Sequence, residues 1–130
     1  MSRYKDWLTY SEELLEIADF LIEKGKYSWA CFTLHQASTA ALKAILAKND
    51  ESTYGENLIN FLRTIDKQFQ PVEEVKKACR QINDYFQKTR DLESNPIGTP
   101  LSNFTINDAK LAKSNTLTIL RFAHHSVFEK

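Results

Sequence analysis

The chain has 130 residues, 42% hydrophobic and 26% charged, which is the size and balance of one globular domain, residues 1–130, whose core needs no metal or disulfide staple. Its 17 Lys and Arg cancel its 17 Asp and Glu, which excludes a global basic field for salt-dependent binding to a nucleic-acid backbone. No stretch approaches the roughly 20 consecutive apolar residues of a membrane span, and three Gly and three Pro leave little material for turns.

Long helices are therefore expected, and the apolar spacing supplies them. From about Tyr4 to Lys24, Trp7, Ser11, Leu14, Ala18 and Leu21 recur at steps of three and four, with Leu8, Leu15 and Ile22 beside them. Gly25 stands where a left-handed C-terminal residue belongs, and Ser28 is placed to cap the next helix, so the first two helices are antiparallel neighbours. The second runs from Tyr27 to Lys48. One side carries Tyr27, Ala30, Cys31, Leu34, Ala37, Ala41 and Ile45 and belongs in a core. The other carries Trp29, Phe32, Gln36 and Lys43, too apolar for water and too polar for a core. A second packing seam, a homodimer interface through Trp29 and Phe32, or a shallow nucleotide site walled by Gln36 and Lys43 would each cover it.

A polar run from Asn49 to Gly55 reads as a loop, and a short third helix follows with Leu58, Phe61 or Leu62, Ile65 and Phe69 on one side. Pro71 suits a first helical position, and Glu73 and Glu74 the positive first turn of a fourth helix. Val72, Val75, Cys79, Ile82, Phe86 and Thr89 keep its three/four rhythm almost without error, and the rhythm stops at Arg90. Pro96, Gly98 and Pro100 then exclude a continuous helix from Asp91 to Phe104 and require a long loop, a feature often tied to function. Thr105 and Asp108 form a variant capping box for a last helix that runs to the end of the chain. The spacing predicts an all-α fold: an up-and-down four-helix bundle with one additional short helix, five helices in all.

The chemistry is sparse. Cys31 and Cys79 fall on apolar stripes and form no CxxC, so they read as reduced core residues of a cytoplasmic protein. No Glu-x-x-His, HExxH, glycine-rich phosphate loop or GxSxG elbow occurs, so neither metal nor cofactor is expected and hydrolase and kinase readings lack a foothold. His124 and His125 suit a helix C-terminus. Arg90, Asp91 and Asn95, with Arg80 and Lys88 nearby, make the second polar constellation. They read either as a solvated helix end or as an anion-binding cluster beside the proline loop.

Three places resemble the HEPN domain family. Tyr27 to Phe32, followed by Gln36-Ala37 and Ala41-Leu42-Lys43-Ala44, is similar to the family's second helix. Gly55-Glu56-Asn57-Leu58 with Phe61-Leu62 resembles its short third helix, with Glu56 where a His often stands. Tyr85 to Asp91 resembles the end of its fourth helix, without the usual Tyr-Pro between Arg90 and Asp91. The resemblance implies a helical bundle, commonly a homodimer, that binds nucleotide or RNA and is often paired with a nucleotidyltransferase or in a toxin–antitoxin couple. Catalytic members are metal-independent ribonucleases with an Arg followed, after four to six residues, by a His. Here Arg90 is followed at those positions by Asn95, Pro96 and Ile97, so the motif is broken. The group best suited to acid–base work near neutral pH is missing. The chain therefore reads as a binding member with no catalytic residues and with Arg90, Asp91, Asn95, Gln36 and Lys43 as ligand contacts. The alternatives are a divergent ribonuclease and a protein-interaction or antitoxin module.

Overall fold

The computed structural model describes residues 2–128. Its helices are α1 (Tyr4–Glu23), α2 (Tyr27–Lys48), α3 (Leu58–Phe69), α4 (Glu73–Asn83), α5 (Tyr85–Lys88), α6 (Pro100–Asn103) and α7 (Ile106–Phe128), with a 3-10 turn at Leu92–Ser94. No described helix is long and apolar enough to cross a membrane.

The five-helix up-and-down bundle expected from spacing is not the fold that forms. Among the described residues the fold is all-α with six helices, one of them a bent pair formed by α4 and α5. The bend falls at Asp84, after which the bonds Lys88 N to Asp84 O and Thr89 N to Tyr85 O both lengthen to 3.4 Å. Ile82, Tyr85 and Thr89 remain buried across it, so the apolar rhythm passes through the bend unbroken and cannot reveal it. The sixth helix comes from the segment read as a plain loop. Thr99 and Ser102 close a capping box around Pro100, which occupies the first turn of α6. Gly98 lies at φ +74, and a Cβ there would stand 2.6 Å from Ser102 Oγ, so the turn into α6 requires glycine.

The arrangement also differs from a ring of equivalent helices, because α2 runs through the middle and touches α1, α3, α4, α5, α6 and α7. Leu34, Leu42 and Ile45 are fully buried, each stabilising the fold by about 2 kcal/mol. Between them Ala37, Ser38, Ala40, Ala41 and Ala44 keep the helix slim enough for close neighbours. Ser11 Oγ of α1 donates to Ala37 O at 2.7 Å. From the other side Thr116 Oγ1 of α7 accepts from Ser38 Oγ at 3.2 Å.

Local signals account for most boundaries. The α1–α2 link closes with Lys26 N donating to Leu21 O at 2.9 Å and with Gly25 at φ +75. Ser28 does not cap α2, whose N-cap is Lys26; the Ser28 hydroxyl is buried without a partner. Asn57 caps α3 by accepting from Ile59 N and Asn60 N. Pro71 lies just ahead of α4, which starts at Glu73. Thr105 N donates to Asp108 Oδ2 at 2.7 Å and Asp108 N to Thr105 Oγ1 at 3.2 Å, completing the capping box of α7.

Both cysteines are buried and free. Burial pushes their thiols up to about 12, with Asp108 adding to the effect at Cys31. Iodoacetamide at mildly alkaline pH is therefore expected to leave both unmodified in the folded chain and to label both in denaturant. Rapid labelling of the native protein would contradict this burial.

Candidate functional site

The second face of α2 is covered largely by the chain itself, and what covers it defines the site. Phe86 of α5 brings its ring to 6.2 Å from Phe32 and 5.6 Å from His35, centroid to centroid. Arg90 follows one turn later. Its guanidinium lies 4.5 Å from the Phe32 ring centroid and 4.6 Å from that of Phe86, within reach of both π-faces. Nε and Nη2 donate to the Phe86 carbonyl at 3.0 and 2.8 Å, which fixes one edge of the fork. Among the described residues the edge carrying Nη1 has no hydrogen-bond acceptor, and the residue is exposed. Trp29 extends the cluster outward, edge-on to Phe32 at 6.0 Å and 47% exposed.

A polar cluster adjoins it. Gln36 Nε2 donates to Glu56 Oε1 at 2.9 Å, and Lys43 Nζ reaches Glu56 Oε2 at 3.4 Å. Lys43 is itself buried, with Nζ 5.2 Å from the Trp7 ring and 5.8 Å from the Phe61 ring. Its ammonium thus secures the loop that carries Glu56. His35 joins the two clusters, its ring on Phe86 and its Nδ1 3.1 Å from Gln36 Nε2. As Gln36 donates there, the ring proton sits on Nε2, which is buried and has no partner. Burial brings the His35 pKa down to about 4, against an opposing pull from Glu56 and with smaller assistance from Arg90 and Lys43. The imidazole is neutral at pH 7.

Between the start of α3 and the α4–α5 bend lies an open cleft of about 680 Å³, lined by Glu56, Asn57, Asn83, Asp84, Phe86 and Lys88 among others. Asn83 Oδ1 accepts from Leu58 N at 2.8 Å and ties the two walls together. Lys88 Nζ sits 3.8 Å from Asp84 Oδ2, so each carboxylate of the cleft has a nearby ammonium.

The residues singled out from sequence fall into three groups. Arg90, Phe32 and Trp29 assemble around Phe86, while Gln36 and Lys43 assemble around Glu56. Asp91 and Asn95 turn inward on their own segment: Asp91 Oδ1 accepts from Glu93 N at 3.0 Å, and Asn95 Nδ2 donates to Lys88 O and Asp91 O at 3.0 and 2.8 Å. Their side chains order the turn beside Arg90. Residue spacing alone does not mark His35, Phe86 or the pairing role of Glu56 as parts of the site. Phe86 was legible only as a stripe residue one turn before Arg90, and Glu56 arrives from a loop. Among the described residues no three His, Cys, Asp or Glu side chains converge as a metal-binding group.

The HEPN domain family matches residues 4–125, nearly the whole chain, and the protein belongs to that family. Three solved structures share its fold. TT1696 from Thermus thermophilus is 27% identical, covers 97% of this chain and 99% of its own, and superposes with a TM-score of 0.93. ST0689, an archaeal HEPN homologue, is 22% identical over 98% of this chain and 99% of its own, with a TM-score of 0.83. A HEPN domain protein from Thermotoga maritima, tm0613, is 23% identical over 96% and 99%, with a TM-score of 0.78. No curated protein shows a significant match to the chain.

Proposed function

We propose that this HEPN chain is a non-catalytic cytoplasmic binding module that takes a nucleotide, or the phosphate of a short RNA, at Arg90 and works as a homodimer. The observation that carries this reading is the guanidinium held against Phe32 and Phe86 with one edge already fixed by a backbone carbonyl. An arginine immobilised in this way loses little further freedom when its open edge meets a phosphate. Trp29 supplies the apolar surface that a second copy would cover. The partner enzyme the family resemblance suggests is a nucleotidyltransferase, and co-purification from the native host tests that part.

Calorimetric titration of ATP, GTP and short RNA into wild type and Arg90→Ala tests the binding. Loss of the charged contact is expected to weaken affinity by at least about tenfold, equivalent to about 1.5 kcal/mol. No heat with any ligand would count heavily against the proposal. Light scattering at micromolar concentration is expected to give a dimer, and a monomer would remove that part.

Family membership supports the competing reading, a divergent metal-independent ribonuclease, better than it supports a plain binding module. That reading needs an imidazole beside Arg90. His35 is sealed beneath Phe86. His124 pairs with Glu12 near the far end of α7, where Lys48 Nζ binds Val127 O; along α2 that end is roughly 24 Å from Phe32. A catalytic His would have to come from another subunit. Incubation with total RNA separates the two readings, since cleavage that disappears in Arg90→Ala would establish the nuclease. The third alternative is an antitoxin-like module that only occupies a protein. It predicts recovery of that protein and no nucleotide heat.

A further inference from the structure

The cleft beside Arg90 has a lining that Arg90 alone does not explain. Its volume suits a small organic ligand. Its two carboxylates each have an ammonium nearby, at 3.4 Å for Glu56 and 3.8 Å for Asp84, so no unpaired cation inside it would attract a phosphate. Its remaining polar groups are the carboxamides of Asn57, Asn83 and Gln87 and the hydroxyl of Ser94, which is spent on Asp91 Oδ2, and Phe86, which braces Arg90, forms part of the wall. Glu56 is the best-positioned acceptor. Oε1 accepts one bond from Gln36 and Oε2 one from Lys43, which leaves lone pairs on both oxygens of a side chain still 35% exposed at the rim. A carboxylate held at both oxygens, with capacity left on each, is suited to a pair of neighbouring hydroxyls.

We propose that this cleft is a ribonucleoside subsite. Glu56 accepts the 2′- and 3′-hydroxyls, the amides of Asn83 and Gln87 face the base, and the phosphate lies outward on Arg90. The inference rests on the nucleotide reading above and adds to it the part of the ligand that selects. Asn83 spends its Oδ1 on Leu58 N and keeps its NH2 for the ligand. Gln87 is exposed on the same wall. Gln36 and Lys43 act as positioning residues, because they orient Glu56.

The test is calorimetry on the intact protein with AMP and 2′,3′-dideoxy-AMP, in wild type, Glu56→Gln and Arg90→Ala. Wild type is expected to bind AMP at least tenfold more tightly than the dideoxy nucleotide. Glu56→Gln should remove that preference, and Arg90→Ala should weaken both nucleotides alike. Equal affinity of wild type for the two nucleotides would overturn the subsite, yet a loss in Arg90→Ala would still uphold the phosphate site. Binding of neither would end both readings. The wild-type comparison stands even if Glu56→Gln folds poorly, and thermal unfolding of the variant shows whether it does.

Discussion

Between pH 7 and pH 5 the folded chain is expected to lose about 2 kcal/mol of stability through His35 alone. The imidazole sits under Phe86 with Nε2 unpartnered, and burial holds its pKa at about 4 against an ordinary value of 6.5. Below that ordinary value the unfolded chain takes up a proton that the native chain refuses. Stability is therefore greatest above about pH 6.5 and falls as the pH approaches 4, by about 3 kcal/mol over the whole window. Protonation would also place a hydrogen on Nδ1, facing the amide of Gln36, and so oppose the Gln36 to Glu56 bond. Denaturant unfolding of wild type and His35→Gln at pH 7, 6 and 5 measures the effect. The variant should fall by about 2 kcal/mol less across the range. Parallel losses in the two proteins would show that His35 is not the group responsible.

Glu56→Ala is expected to destabilise the fold by about 2 to 3 kcal/mol, and Lys43→Met by only about 1 kcal/mol. The asymmetry follows from burial. Lys43 has 10% of its side chain exposed, so removing Glu56 strands an ammonium among Trp7 and Phe61. Glu56 has 35% exposed and can be solvated when Lys43 is removed, so the full cost of breaking a buried pair does not apply. A methionine also keeps most of the volume that the lysine stem fills. Urea unfolding of the two single variants and the double variant gives the coupling between them. Equal losses in the two single variants, or a double variant as costly as their sum, would mean that the contact at 3.4 Å contributes little.

The helices were legible where spacing and caps agreed. The apolar steps of α1, α2 and α7 locate those elements nearly to the residue, and the Thr105 to Asp108 box marks where the last one begins. The bend at Asp84 was not legible, since a one-residue break leaves Ile82, Tyr85 and Thr89 on the same buried side. Nor was α6. Pro96, Gly98 and Pro100 do break a long helix, yet Pro100 is also suited to open a short one once Thr99 and Ser102 cap it.

Within the site, residue type pointed to Arg90 and Phe32 but not to their shared partner Phe86. Asp91 and Asn95 stood out because they are polar and close to Arg90 in sequence. Proximity along a chain says nothing about side-chain direction, and both are committed to the turn. Lys43 looked like a face residue from its helical angle. Only the returning loop, which sets Glu56 beside it across 13 positions, makes it part of an interior pair.

The central position of α2 has a kinetic consequence. A helix contacted by every other described helix cannot open by itself, because exposing its backbone means detaching α1 from one side and α7 from the other. Its amide hydrogens near Ala37 to Ala44 can then exchange with solvent only through the rarest opening of the molecule, and their exchange reports global unfolding. The segment from Leu92 to Asn103, tied down mainly by its own short-range bonds, can open without that event. The rigid α2 wall of the site and its outer turn beside Arg90 thus move on separate clocks. Entry of the nucleotide proposed above needs only the outer turn to open while the centre of the protein stays closed.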